Sequence, residues 1–155
     1  MQRNTTSAIQ QMPIVVPPGG GDPLRIGEGQ FIQKVRSGDT GGVFSVVEVV
    51  TPPRGSVALH VHEREDELVY VLDGTIEVTL GDQTMTATAG VLALLPRGIP
   101  HGFTNVGTTP SRVLDTILPG AFDGYFVEAA ALYSNGEPDA GKVDALSRKY
   151  AIRYL

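Results

Sequence analysis

An all-β sandwich or barrel followed by a helical tail is the fold this sequence predicts, and three observations predict it. Short runs rich in Val, Ile, Leu and Thr recur at regular spacing between about residue 23 and residue 118. The 19 Gly and 11 Pro residues punctuate these runs, as many short elements joined by tight turns require. Beyond residue 118 the apolar period lengthens from that of a strand to that of a helix. A chain of 155 residues with 41% apolar and 19% charged residues can bury the core of one domain without disulfide staples.

Taken in order, residues 1–22 end in "VVPPGGGDP", where Pro and Gly forbid regular structure. They read as an arm, flexible or packed across a neighbouring subunit. Residues 23–118 form the β domain. "QFIQKVRS" alternates and is followed by the turn "GDTGG". "VFSVVEVV" is apolar on both faces apart from Ser45 and Glu48, which predicts a strand covered on both sides. "SVALHVH" follows a Pro-Pro-Arg-Gly turn. "ELVYVLDGTIEVTLGDQTMTATAG" reads as three strands joined by hairpins at Asp73-Gly74 and Gly81-Asp82. "VLALLP", "HGFTNVG" and "SRVLDTILP" supply the remaining strands. In the tail, residues 119–155, Phe122, Tyr125, Phe126, Ala129 and Ala130 share one helical face. "DAGKVDALSRKYAI" predicts a second helix with Val143, Leu146 and Tyr150 aligned.

The formal net charge of -5 and the absence of a Lys/Arg cluster argue against nucleic-acid and anionic-membrane partners. No run reaches transmembrane length, and the N-terminus lacks the apolar run of a signal peptide, so the expected location is the cytoplasm. Without cysteine there is neither a disulfide nor a thiolate, and any metal must be held by nitrogen and oxygen.

The chain has three histidines. A strand alternates its faces, so His60 and His62 point the same way, with Val61 opposite. Glu67 opens the next strand after an acidic turn, and an antiparallel hairpin there folds its carboxylate back toward the two imidazoles. His101 starts a later strand in "GIPHGFTN". Three imidazoles and a carboxylate suit one divalent transition metal, Fe, Mn, Co, Ni, Cu or Zn, better than Ca or Mg.

These residues sit within a longer set that resembles the cupin superfamily. Its first motif is matched by Gly55, His60, His62, Glu67 and Gly74, and its second by Gly90, Pro96, Gly98, His101 and Asn105. The first motif departs by one residue fewer between Gly55 and His60, in a loop before the site. The spacing back from Gly74 selects Glu67 among the four neighbouring acids. Glu63, Glu65 and Asp66 are expected in a solvated turn, and Asn105 in a structural one. The resemblance implies a jelly-roll β-barrel (double-stranded β-helix) over residues 23–118.

The run "HVHEREDELVYVLDG" and the tail "LPGAFDGYFVEAA" are similar to those of small single-domain quercetin 2,3-dioxygenase-like cupins. That resemblance implies C-terminal helices on the barrel, a homodimer and dioxygen chemistry on a phenolic or enolisable substrate. Glu67 would then be ligand and general base together. The other readings are a non-redox cyclase, isomerase or decarboxylase, and a binding module with a structural metal. Alternation further predicts that Ala58, Val69 and Val71 face the metal, with Tyr70 outward. Phe103, Phe122 and Phe126 are the candidate substrate contacts near the mouth.

Overall fold

The computed structural model describes residues 12–155. The strands in order are β1 (Asp22–Ile26), β2 (Gly29–Val35), β3 (Ser45–Thr51), β4 (Ser56–His62), β5 (Asp66–Asp73), β6 (Thr75–Leu80), β7 (Gln83–Thr88), β8 (Leu92–Leu95), β9 (His101–Asn105) and β10 (Ser111–Leu118). Helices α1 (Asp123–Tyr133) and α2 (Ala140–Lys149) follow, and β11 (Ile152–Tyr154) ends the series. Part of the predicted arm, residues 1–11, lies outside the described residues, and 12–21 carry no strand or helix.

The strands form two antiparallel sheets, β1-β2-β3-β10-β5-β8 and β11-β4-β9-β6-β7, which face each other as a jelly-roll. Both inner faces are apolar. Val47, Val49, Val71 and Val113 of the six-stranded sheet meet Ile76 and Ala87 of the other, each no more than 5% exposed. The side chains alternate strictly along β10, where Ser111, Val113, Asp115 and Ile117 point in while their neighbours are half-buried or exposed.

Two turns predicted as hairpins behave differently. Gly81-Asp82 does join paired strands, with Leu80 opposite Gln83. Asp73-Gly74 does not: β5 pairs with β10 and β8, while β6 pairs with β7 and β9, so the turn carries the chain from one sheet to the other. Gly74 has φ +87°, and a Cβ on it would lie 2.8 Å from Ser111 Cα. The crossing runs too close to β10 for any larger residue. The same topology corrects the expected route of Glu67. β4 and β5 belong to different sheets, and Glu67 reaches the histidines across the barrel, not along a hairpin.

The tail closes one end of the barrel. Phe122, Tyr125, Phe126 and Ala129 of the α1 region are buried in the same core as the strands. The first turn of α1 is tied to the body by Asp123, whose carboxylate accepts from Ser37 N at 2.7 Å and Ser37 Oγ at 2.9 Å. The predicted second helix stops short, at Lys149, because Ala151 turns to positive φ (52°). Residues beyond it return as β11, paired to β4 with Ile152 opposite His62 and Tyr154 opposite His60.

Candidate metal centre

His60, His62, Glu67 and His101 converge at the end of the barrel that α1 covers. One ligand atom from each lies within 4.8 Å of all the others, and all four residues are buried. The histidines come from the five-stranded sheet, with His60 opposite His101 across β4 and β9. Glu67 comes from the six-stranded sheet. Its carboxylate spans two imidazoles, with Oε2 2.6 Å from His101 Nε2 and Oε1 3.3 Å from His62 Nε2.

The other ring nitrogens explain why these atoms are free to converge. His60 Nδ1 donates to the Ala58 carbonyl at 2.7 Å and His101 Nδ1 to the Ile99 carbonyl at 3.1 Å. His62 Nδ1 faces Glu65 Oε2 at 3.4 Å. The two carbonyls fix the tautomers of His60 and His101 and leave Nε2 aimed inward, the arrangement that orients imidazoles toward a metal, while Glu65 stands behind His62 as a charge. Glu65 thus departs from the expected solvated turn: it is 8% exposed and backs His62. Asp66 and Glu63 do stay outside. Asp66 takes Arg97 in a two-pronged pair, and Glu63 lies 3.9 Å from Arg153.

Burial, reinforced by His101, pushes the His60 imidazole down to about 4, so it is neutral and competent to ligate at pH 7. Burial would lower His62 too, but Glu65 and Glu67 outweigh it and hold His62 up at about 9. Burial would raise Glu67, but His101 and His62 hold its carboxyl well below the usual range. The donor set therefore fits a divalent transition ion. It offers three oriented imidazoles, an ionised carboxylate and one proton on His62 that a cation would replace.

A cavity of about 140 Å³ extends from the cluster into the barrel, and its walls are mostly apolar. Phe103, Phe122 and Phe126 all line it. The Phe122 ring meets the His62 ring edge-on at 4.4 Å, and Phe126 stacks on Phe31 at 5.2 Å. Both are buried deep in the core, Phe122 at 2% exposure. Val69 and Val71 line the cavity as alternation predicts. Ala58 does not: it is exposed, and Val57 lines the cavity instead.

The cause is a bulge in β4 between Val57 and His60, where the pairing with β9 slips. Gly102 makes the slip possible, because a Cβ there would sit 2.8 Å from the Val57 carbonyl oxygen. Three further residues bear on the site, the last of them from the far end of β9. Tyr154 packs 5.9 Å from His60 and bonds Tyr125 through the two hydroxyls at 2.7 Å. Asp115 lines the cavity beside Glu67. Asn105, wholly buried, ties Thr51 and Thr109 carbonyls together from its amide, both at 2.9 Å, and so fixes the strand that starts at His101.

Residues 47–117 match the family described as Cupin domain. Mannose-1-phosphate guanylyltransferase 2 of Escherichia coli O157:H7 is 32% identical over 53% of this chain and 17% of its own length. Quercetin 2,3-dioxygenase of Bacillus subtilis is 29% identical over 61% of this chain and 28% of its own. Among solved structures, a predicted oxalate decarboxylase from Thermotoga maritima superposes with a TM-score of 0.65 at 25% identity, covering 68% of this chain and 99% of that one. The chain spans less than a third of the length of these two curated relatives. Their names describe unrelated activities, so the likeness does not single out one reaction.

Proposed function

The chain carries a cupin domain and belongs to the cupin superfamily, and on that premise we propose that it is a metal-dependent dioxygenase for a small phenolic or enolisable molecule. One observation carries the proposal: an apolar cavity that opens onto a buried cluster of three imidazoles and one carboxylate, with no Lys or Arg of the described residues in its lining. His60, His62, Glu67 and His101 would hold the ion. The ion would supply a Lewis acid and a one-electron partner for dioxygen. Away from the ion, an anionic group would find no Lys or Arg of the described residues in these walls, which favours a neutral molecule.

Within this reading Glu67 takes the proton of the substrate hydroxyl, being the ionised carboxylate at the cavity's polar end. Phe103, Phe122 and Phe126 hold the ring, and the tail keeps water out. The likeness to quercetin 2,3-dioxygenase supports the oxidative chemistry. A second carboxyl, Asp115, beside Glu67 favours the alternative of a non-redox isomerase or decarboxylase, since two acids can relay a proton. Oxygen uptake by metal-reconstituted protein with a panel of monocyclic phenols and 1,3-diketones tests the choice. Uptake matched to product supports the dioxygenase, and turnover without uptake supports the alternative.

The same proposal includes a homodimer. Leu68 and Tyr70 of β5 stand opposite Leu94 and Leu92 of β8 on the outer face of the sheet, all four exposed by 38% or more. Such a patch favours cover by a second copy. Light scattering at micromolar concentration giving only about 16.4 kDa would overturn it.

A further inference from the structure

Asp115 has no evident structural role. It points inward from β10, between the backbones of Val47 in β3 and Val69 in β5. It is 8% exposed and lines the cavity. Its carboxyl meets Glu67 on one side, but Oδ1 is buried with no hydrogen-bond partner among the described residues, and no Lys or Arg of those residues lines the cavity. A buried carboxyl whose one polar neighbour is another acid, and one of whose oxygens is unpaired, costs stability, and a valine would pack there at no such cost. The inward positions on either side, Val113 and Ile117, are apolar and almost wholly buried. Groups kept at such a cost point to function.

We propose that Asp115 is a second anchor for the cavity's ligand, taking a hydroxyl while the ligand's other oxygen lies at the His60-His62-Glu67-His101 cluster. A hydroxyl both donates and accepts, so it satisfies the carboxyl in either protonation state. The cavity sets the scaffold. At about 140 Å³ it matches the apolar cavity, about 150 Å³, known to hold one benzene ring. The ligand is therefore a neutral monocyclic or similarly small molecule with two oxygens set apart on its frame. A three-ring flavonol exceeds this volume. The inference rests on the reading of the cluster as the ligand-binding centre.

Phenol, resorcinol and hydroquinone are the probes, because separated hydroxyls cannot chelate the ion as neighbouring ones would. Zinc-loaded protein, which cannot oxidise them, is titrated by calorimetry. Phenol is expected to bind the wild type, and one of the two diols to bind about tenfold tighter, the worth of one good hydrogen bond. In Asp115→Val the diol advantage should vanish while phenol affinity stays within about twofold, and the melting temperature should rise. Asp115→Asn should keep part of the advantage. A diol advantage that survives in Asp115→Val, or that is missing from a wild type that binds phenol, overturns the anchor alone. Failure of all three probes to bind the wild type overturns both the anchor and the reading of the cluster.

Discussion

The two faces of the six-stranded sheet treat their buried acids in opposite ways. Glu48 on β3 and Asp115 on β10 sit almost back to back, since Glu48 pairs with Leu114, the residue before Asp115. On the outer face Glu48 is 3% exposed but bonded to Lys34 Nζ at 2.9 Å and Arg112 Nε at 2.7 Å. Burial alone would raise its carboxyl, and the two cations hold it below the ordinary value instead. On the inner face burial and the neighbouring Glu67, by its charge and a hydrogen bond, push Asp115 well above the carboxylate range, with no cation among the described residues to oppose them. The outer acid completes a structural network. Of the inner acids, Glu67 meets the imidazoles of His62 and His101, and Asp115 meets no cationic side chain among the described residues.

The largest expected effect tests the inner face. Glu67→Gln in metal-replete protein should cut turnover per bound metal by about 10² to 10⁴, because the amide cannot accept a proton. Its far-ultraviolet circular dichroism should remain that of the wild type. Full turnover would remove the base role and leave Glu67 a ligand only. Glu48→Ala, on the outer face, should do the reverse. It leaves the half-buried Lys34 ammonium with the Gly20 carbonyl alone and should cost about 3 kcal/mol in urea unfolding, most of it from Lys34 since Arg112 is partly solvated. Metal content should not change, and a variant that lost metal without losing stability would erase the contrast.

Glu65→Gln probes the backing of His62. Metal affinity should fall about 10- to 100-fold by competition with a chromophoric chelator, with the fold unchanged. An affinity like that of the wild type would reduce Glu65 to a bystander.

The smallest effect is in protons. His62 is raised above its unfolded value to about 9, so its contribution to the metal-free protein is fully present below about pH 6.5 and is lost as pH rises through about 9. A cation must displace that proton. Zinc binding near pH 7.5 should therefore release about one proton per chain, and affinity should climb with pH across that window. An indicator-dye titration showing no release would mean that His62 does not ligate.

Much of the site was legible because strand alternation is a local rule. His60, His62 and Val61 obey it, and so do Glu67, Val69 and Val71. The errors arose where distant contacts intervene. Ala58 was expected inside, and the β4 bulge turns it out, but the bulge depends on Gly102, more than forty positions away. Turn chemistry identified Asp73-Gly74 as a sharp reversal without saying into which sheet the chain passes. Glu65 stands in a run of acids that looks solvated, and only the folded loop brings it to His62. Asp115 could have been found: Ser111, Val113, Asp115 and Ile117 alternate, and an acid in phase with valine and isoleucine is a buried acid. Tyr154 had no such signal, since a three-residue strand carries no period.

The centre is fed by strands from both sheets, with three donors on one side and Glu67 on the other. An unfolded chain offers at best the neighbouring pair His60 and His62. The site is therefore a clasp that closes only after the two halves of the barrel have met. An ion seated in it would act as an inspector's seal on a finished molecule: its rate of escape would record how often the halves part, long before the chain as a whole comes undone.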